Sequence, residues 1–342
     1  MKILAISLSG AGDVLMATPL IKELRLNYPK ARIDCLVMQG RIAADILKNN
    51  RDISRIIYFN FMREGIFKSL KFCGKLRKEN YDLSITTYPQ ARYHYSIISC
   101  LAGAKKRIGF NYDNQLLKLN NLFFTDALKE DFSSHVVSNN LNVLKVLNLR
   151  QKIKSPKIVL NLSRSSVKFA EDFFRKNDIK KAVAVHAGSG TTKNFALKRW
   201  NKDKFAELCL KLSREGFKII LLGGKDENGL KNYIIAKSGL MGNREIFNLD
   251  TEIQNVAAII RKCALVVSND TIMGHIAAAV GARVISLFGP TSPENTAPYS
   301  KNAAIICKRP KEIKPFMHGS KITKEQASYM DKISVSEVLS KI

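Results

Sequence analysis

Residues 263–294, CALVVSNDTIMGHIAAAVGARVISLFGPTSPE, decide the fold. The apolar run 264–267 is of the kind that makes a buried parallel strand. Ser268, Asn269, Asp270 and Thr271 favour turns and helix N-caps. The Ala-rich stretch 272–280 reads as a helix with Gly281 in its C-cap position. Residues 284–288 form a second apolar strand, which Gly289, Pro290 and Thr291 end. The whole is a strand–helix–strand unit with polar residues at the strand ends, the edge where open α/β sheets bind ligands. A helix starting there aims its free N–H groups and positive dipole end into the crevice, which suits a phosphate. Taken alone, the unit is equally an ordinary crossover with a polar turn.

The same alternation runs outward from this unit. Strands are expected at 2–8, 33–37, 53–58, 82–86 and 106–110, with helices at 14–27, 43–48, 65–79, 95–102 and 135–147. The polar, basic stretch 148–156, NLRQKIKSP, reads as a linker. Beyond it, helices at 163–176, 202–215 and 252–263 alternate with strands at 182–186 and 218–222 and lead into the opening unit. Residues 301–320 are less regular, and 334–342 is a last short helix. The expectation is an α/β protein of two Rossmann-like, doubly wound domains facing a cleft. They cover 1–155 and 156–329, with the C-terminal helix within 330–342 packing back on the first.

A chain of 342 residues exceeds one typical core, in keeping with two domains. Its 56 Lys and Arg against 29 Asp and Glu give a net charge of +27. Such an excess fits an anionic membrane surface, an acidic substrate, nucleic acid, or compositional bias alone. Aromatic residues at 8% and the lack of a recognition motif speak against nucleic acid. Six cysteines with no paired spacing read as buried thiols of a reducing compartment. Asp13 and two glycines interrupt the N-terminal apolar run, which does not read as a signal peptide, and no run is long enough to span a bilayer. The expected location is cytoplasmic.

Four segments carry candidate chemistry. Asp13 follows the turn Ser9-Gly10-Ala11-Gly12 at a helix start; it is either a carboxylate stabilised by the dipole or a general base that substrate approaches over the glycines. The turn lacks dinucleotide-binding glycine spacing. The loop after 182–186, with Ser189, Gly190 and Thr191, offers N–H and hydroxyl donors to phosphate but lacks the P-loop ending. Lys198, beside Arg199 and Trp200, is either solvated or placed to neutralise a departing diphosphate. A carboxylate in 221–227, LLGGKDE, is either a surface acid or a ribose contact. At the opening unit's helix start stand Asp270 and Thr271, followed by Ile272, Gly274 and His275. No metal-ligand spacing is present.

Taken together these segments resemble glycosyltransferase family 9, the ADP-heptose:lipopolysaccharide heptosyltransferases. The resemblance spans nearly the whole chain: SLSGAGDVLMATP (7–19), YDLSITTYP (81–89), AKKRIGF (104–110), HVVSNNLNVL (135–144), VHAGSG (185–190), KRW (198–200), LLGGKDE (221–227), SNDTIMGHIAAAVG (268–281) and ISLFGPTSP (285–293). It implies a GT-B fold with the acceptor on the first domain, near Gly10, Gly12 and Asp13, and the nucleotide-sugar on the second. It implies Asp13 as the base of an inverting, metal-independent transfer, Lys198 on the diphosphate and Glu227 on the ribose. Asp270 and Thr271 would bind sugar and phosphate, with Ser189 in the phosphate loop. There is no cofactor; ADP-heptose is the co-substrate, and the acceptor is an anionic, lipid-linked inner-core saccharide at the inner leaflet. Lys105, Lys106 and Arg107, with the basic helix 65–79, are then the acceptor-side cations. The chain departs from the family pattern at Ile272, where glycine is usual, at Ala187 for proline and at Ser7 for arginine. Alternative readings are a GT-B transferase for another nucleotide-sugar, a nucleotide-sugar epimerase, and a basic nucleic-acid-binding protein.

Overall fold

The computed structural model describes residues 1–342 except 39, 113–119, 191, 243 and 318–320, with the backbone alone at 121 and 192–194. The chain forms two compact units, Met1–Asn161 and Leu162–Ile342.

In the first unit six parallel strands, β1 (Lys2–Ser7), β2 (Arg32–Val37), β3 (Arg55–Tyr58), β4 (Leu83–Thr86), β5 (Lys106–Asn111) and β6 (Asp126–Lys129), lie in the order β3-β2-β1-β4-β5-β6. The order reverses direction between β1 and β4, which opens a crevice at their C-terminal ends. Helices cover both faces, so Ile3, Leu4 and Ile6 of the central strand are buried as a continuous apolar run. The expected helix at 14–27 is two, Ala11–Met16 and Thr18–Asn27. Pro19 has no N–H to give the Leu15 carbonyl, which accepts the Thr18 hydroxyl instead (2.7 Å).

The stretch 148–156 is no loose linker. The buried Glu23 carboxylate accepts the N–H groups of Lys152 (2.9 Å) and Ile153 (2.7 Å), and Thr18 Oγ1 accepts that of Val159 (2.8 Å). These bonds tie the segment to the first unit and move the division past 155 to Asn161.

The second unit repeats the topology with β7 (Ala182–His186), β8 (Lys218–Leu221), β9 (Ile246–Asn248), β10 (Leu265–Asn269), β11 (Val284–Phe288) and β12 (Ala303–Cys307), all parallel, in the order β12-β11-β10-β7-β8-β9. The reversal falls between β7 and β10. The helix Ile272–Val280 ends where expected, at Gly281 with φ +79°, a left-handed cap that suits glycine. The C-terminal helix Val335–Leu339 packs here and not on the first unit. Val335 and Val338 join this unit's core, the Trp200 indole donates to the Ile333 carbonyl (3.0 Å), and Arg283 donates to the Lys341 and Ile342 carbonyls. Strands β6, β9 and β12 are additions to the expected set. Cys35, Cys73, Cys209 and Cys263 are buried free thiols. Among the described residues no helix is long and apolar enough to cross a membrane.

Candidate functional site

The crevice of the second unit gathers residues from four strand ends. Asp270 follows β10, is buried, and receives Lys198 Nζ at 2.6 Å and the Thr291 hydroxyl at 2.8 Å on the same oxygen, Oδ2. Lys198 closes the 3-10 helix Thr192–Lys198 after β7, and Thr291 follows β11. Burial by itself raises the Asp270 carboxyl; the charge and hydrogen bond of Lys198, with the bond from Thr291, outweigh it and hold the group below the ordinary carboxylate range. The site thus keeps an ionised carboxylate and an ammonium out of water, side by side.

His186, the last residue of β7, links two other parts. Its Nδ1 lies 3.0 Å from Thr271 Oγ1 and its Nε2 lies 3.2 Å from Glu227 Oε2. Burial raises the Glu227 carboxyl, but hydrogen bonding and charge from His186, the Gly224 N–H and Arg199 together lower it. An ionised carboxylate only accepts, so Nε2 carries a proton and, in the neutral ring, Nδ1 accepts the Thr271 hydroxyl. Thr271 is therefore turned away from its own helix. No side chain of the N-cap residue covers the first N–H groups of Ile272–Val280. Those N–H groups and the dipole end suit an anion.

Glycines let the chain close around Glu227. A Cβ at Gly188 would lie 1.5 Å from Glu227 Oε1, and one at Gly223, whose φ is +144°, 2.6 Å from Oε2. Gly274 packs close to Ser268, Ser286 and Pro298, so it serves the seating of the helix on β10 and β11. Ser189 donates its hydroxyl to the Phe195 carbonyl (2.8 Å) and accepts Arg199 Nε (3.0 Å). Asn269 donates to the Ala187 and Gly188 carbonyls (2.9 and 3.0 Å) and accepts the Trp200 N–H (3.0 Å), fixing the loop after β7 against β10. Ile272 is half-buried at the helix start, and His275 is buried one turn on. Gly190 follows Ser189 at the exposed tip of the loop; Thr191 lies outside the described residues.

In the first unit Asp13 stands in the first turn of Ala11–Met16, at the C-terminal edge of β1, where its Oδ2 accepts the Gly10 N–H (3.1 Å). Gly10 is exposed and Gly12 half-buried, so backbone is open beside the carboxylate. Burial, with a contribution from the Asp13 charge, raises the phenols of Tyr95 and Tyr112, which stay protonated near it. Lys105, Lys106 and Arg107 do not belong to this edge. Lys106 pairs with Leu83 and Leu83 with Ile3, so the three cations stand where the parallel strands begin, the edge opposite Asp13. Their side chains also hold local structure: Lys105 bonds Asp82 (3.2 Å), Lys106 the Val146 carbonyl (3.3 Å), and Arg107 the Phe123 and Ala104 carbonyls (2.8 and 3.0 Å). The acceptor-side role expected for them is corrected accordingly.

Sequence reasoning selected Asp270, Thr271, Lys198 and Glu227, which the structure gathers at one crevice. It passed over His186, Asn269, Arg199 and Thr291. Each is a polar residue at or just past a strand end or loop start of the second unit, and that position was the available signal. No group of side chains among the described residues has the composition of a metal site.

Residues 69–325 match glycosyltransferase family 9 (heptosyltransferase). Lipopolysaccharide heptosyltransferase 3 of Escherichia coli K12 is 29% identical over 307 residues, covering 85% of this chain and 83% of that protein. Lipooligosaccharide heptosyltransferase 2 of Haemophilus ducreyi is 28% identical over 328 residues, covering 90% and 88%. Among solved structures, the E. coli ADP-heptose LPS heptosyltransferase II superposes with a TM-score of 0.78 at 22% identity, covering 100% of this chain and 97% of that one. The two-unit fold is the GT-B fold of these enzymes. With the family match spanning most of the chain, the protein is a transferase and belongs to glycosyltransferase family 9, the heptosyltransferases.

Proposed function

We propose that the protein transfers a heptosyl group from ADP-heptose to a hydroxyl of a lipopolysaccharide or lipooligosaccharide inner core, with inversion at the anomeric carbon. The observation that carries this reading is the buried Lys198–Asp270–Thr291 cluster beside an N-terminal helix end that its own threonine leaves uncapped. That cluster offers a diphosphate both a positive charge and backbone N–H donors, and offers a sugar an ionised acceptor. Heptose and a core acceptor are supported by the relatives, which are heptosyltransferases of lipopolysaccharide and lipooligosaccharide. The ADP donor is supported by the similar fold of the E. coli ADP-heptose enzyme.

In this mechanism Glu227 accepts the ribose hydroxyls, and Asp270 accepts hydroxyls of the heptose. The diphosphate lies against the start of Ile272–Val280 within reach of Lys198. Asp13 takes the proton of the acceptor hydroxyl as its oxygen attacks the anomeric carbon from the face opposite the diphosphate. The bond from that carbon to the phosphate oxygen breaks, and ADP leaves with the electron pair. Lys198 and the helix N–H groups stabilise the charge that builds on it. One base and one displacement give inversion, and this chain's own groups supply every charge the steps require.

The test pairs binding with turnover. ADP-heptose is expected to raise the Tm while UDP-N-acetylglucosamine and GDP-mannose do not. Asp13→Ala is expected to lower transfer by about 10²-fold or more, the usual worth of a general base, with donor affinity unchanged. Normal turnover by that variant refutes the base assignment, and a Tm response to the UDP-sugar alone refutes the donor.

A further inference from the structure

The helix Gly65–Lys78 carries a face that the core does not use. Its inner face, Phe72, Cys73 and Leu76, is seated on the first unit, with Phe72 stacked on Phe59 at a centroid distance of 4.0 Å. A second apolar stripe points outward: Ile66 is 70% exposed, Phe67 86%, Leu70 48%, and Met62 in the preceding turn 64%. At about 100° per residue, Ile66, Leu70 and Phe67 fall within one quadrant, and Lys71, Lys75 and Lys78 lie along its outer border. Residues 61–79 hold six Lys and Arg against two Glu, and one of those acids, Glu79, is engaged by Arg32 and Arg55.

An exposed phenylalanine, isoleucine, leucine and methionine bordered by lysines is the arrangement of a helix that lies in a membrane interface. The topology gives that placement a purpose. The chain leaves β3 at the C-terminal edge of the sheet, so the first turns of the helix, with Met62, Ile66 and Phe67, begin on the edge that carries Asp13.

We infer that the outward face of Gly65–Lys78 docks on an anionic phospholipid bilayer, inserting Met62, Ile66, Phe67 and Leu70 between headgroups while Lys71, Lys75 and Lys78 meet lipid phosphates. The cations choose the partner, since a purely apolar interface with another protein has no use for a lysine border. Docking in this way turns the Asp13 edge toward the surface in which a lipid-linked saccharide is anchored. The inference deepens the proposed function and rests on it for the lipid-linked nature of the acceptor.

The full-length protein is tested by co-sedimentation with vesicles of phosphatidylcholine alone and of phosphatidylcholine with about 30% phosphatidylglycerol, an anionic surface. Binding to the anionic vesicles is expected. Ile66→Ser with Phe67→Ser is expected to reduce it at least ~10-fold at low and at high salt, because the lost term is apolar burial. Lys71→Gln, Lys75→Gln and Lys78→Gln are expected to reduce it about five-fold each at low salt and to erase the preference for anionic lipid. All these positions are exposed, and far-UV melting checks that the variants fold as the parent does.

Three outcomes overturn the inference. The parent fails to bind anionic vesicles; the serine variant binds as the parent does; or the parent is a dimer in ultracentrifugation that the serine substitutions dissolve, which gives the face to a second copy. Vesicle binding needs no donor, so it stands or falls apart from the transfer reaction. On a deacylated, water-soluble acceptor the serine variant is expected to turn over normally and on a vesicle-embedded one to lose activity. Equal loss on both acceptors refutes docking as its role.

Discussion

Replacing Lys198 with methionine tests the charge pair at the centre of the proposed donor site. Methionine keeps most of the apolar stem and removes the ammonium. Asp270 then stays buried with the Thr291 hydroxyl still on it but without the Nζ that stood 2.6 Å away. Removing one partner from a buried pair costs about 3–5 kcal/mol. The Lys198 side chain is 13% exposed, so the low end, about 3 kcal/mol near neutral pH, is expected. The cost also has a definite pH dependence. In the parent the Asp270 carboxyl lies below its ordinary 3.8, so its ionised form stabilises the fold above about pH 4 and that contribution is lost as pH falls through the lowered value. In Lys198→Met burial acts almost unopposed and raises the carboxyl above its unfolded value. The folded variant then binds the extra proton and gains stability relative to the parent as pH falls. The gap between the two proteins is therefore widest at neutral pH and narrows toward about pH 4. The single tryptophan, Trp200, is buried in the second unit's core, so its fluorescence during urea unfolding reports that unit alone. Adding Asp270→Asn removes the stranded charge, and a coupling energy above about 1 kcal/mol is expected from the double-mutant cycle. A loss below about 1 kcal/mol at neutral pH, or a gap that does not change with pH, refutes a desolvated pair and returns Lys198 to the class of solvated surface ions.

His186→Ala leaves the Thr271 hydroxyl and Glu227 without their shared link; it is expected to destabilise the second unit by about 1–3 kcal/mol by Trp200 fluorescence and to raise the donor KM more than it lowers kcat. A variant with parental stability and KM shows that the bridge holds nothing in place. Gly188→Ala puts a methyl group 1.5 Å from the present position of Glu227 Oε1 and so displaces that carboxylate. Losing a charged hydrogen bond to ribose is expected to weaken ADP about 10-fold or more by calorimetry, and unchanged ADP affinity refutes Glu227 as the ribose contact.

How much was legible follows from what each feature depends on. Strands β1, β7, β10 and β11 are covered on both faces, so their apolar runs marked them unaided. Strands β6, β9 and β12 stand at or near sheet edges with their residues mostly half-buried, and sequences such as Asp126–Lys129 carry neither a run nor an alternation to read. The site divides the same way. Asp270, Thr271, Lys198 and Glu227 sit in local patterns of strand, turn and helix start. His186 matters because Thr271, 85 residues on, and Glu227 meet it from other strands, and no local pattern records such a meeting. The misplacement of Lys105, Lys106 and Arg107 has a simpler origin. A run of cations gives no position, but these three lead into or open a strand, and in a parallel sheet strand starts lie away from the ligand edge.

The two units solve one structural problem in one way. Where the strand order reverses, neighbouring crossovers turn to opposite faces and the backbone just past the strand ends loses its ladder partners. In the first unit Gln90, buried beyond the end of β4, accepts the Leu8 N–H (3.0 Å) and donates to the Ile6 and Thr87 carbonyls (2.6 and 2.8 Å). In the second unit Asn269, buried at the end of β10, donates to the Ala187 and Gly188 carbonyls and accepts the Trp200 N–H. Each is a carboxamide at the end of its unit's fourth strand, holding the chain that leaves the first. The choice follows from valence, because a carboxamide both donates and accepts, whereas a carboxylate only accepts and an ammonium only donates. A neutral group also meets these backbone dipoles without the desolvation cost of burying a charge. The charged residues of each unit are thereby released from closing the backbone: Asp13 stands at one crevice, and Lys198, Asp270 and Glu227 at the other, where charge has a reaction to serve.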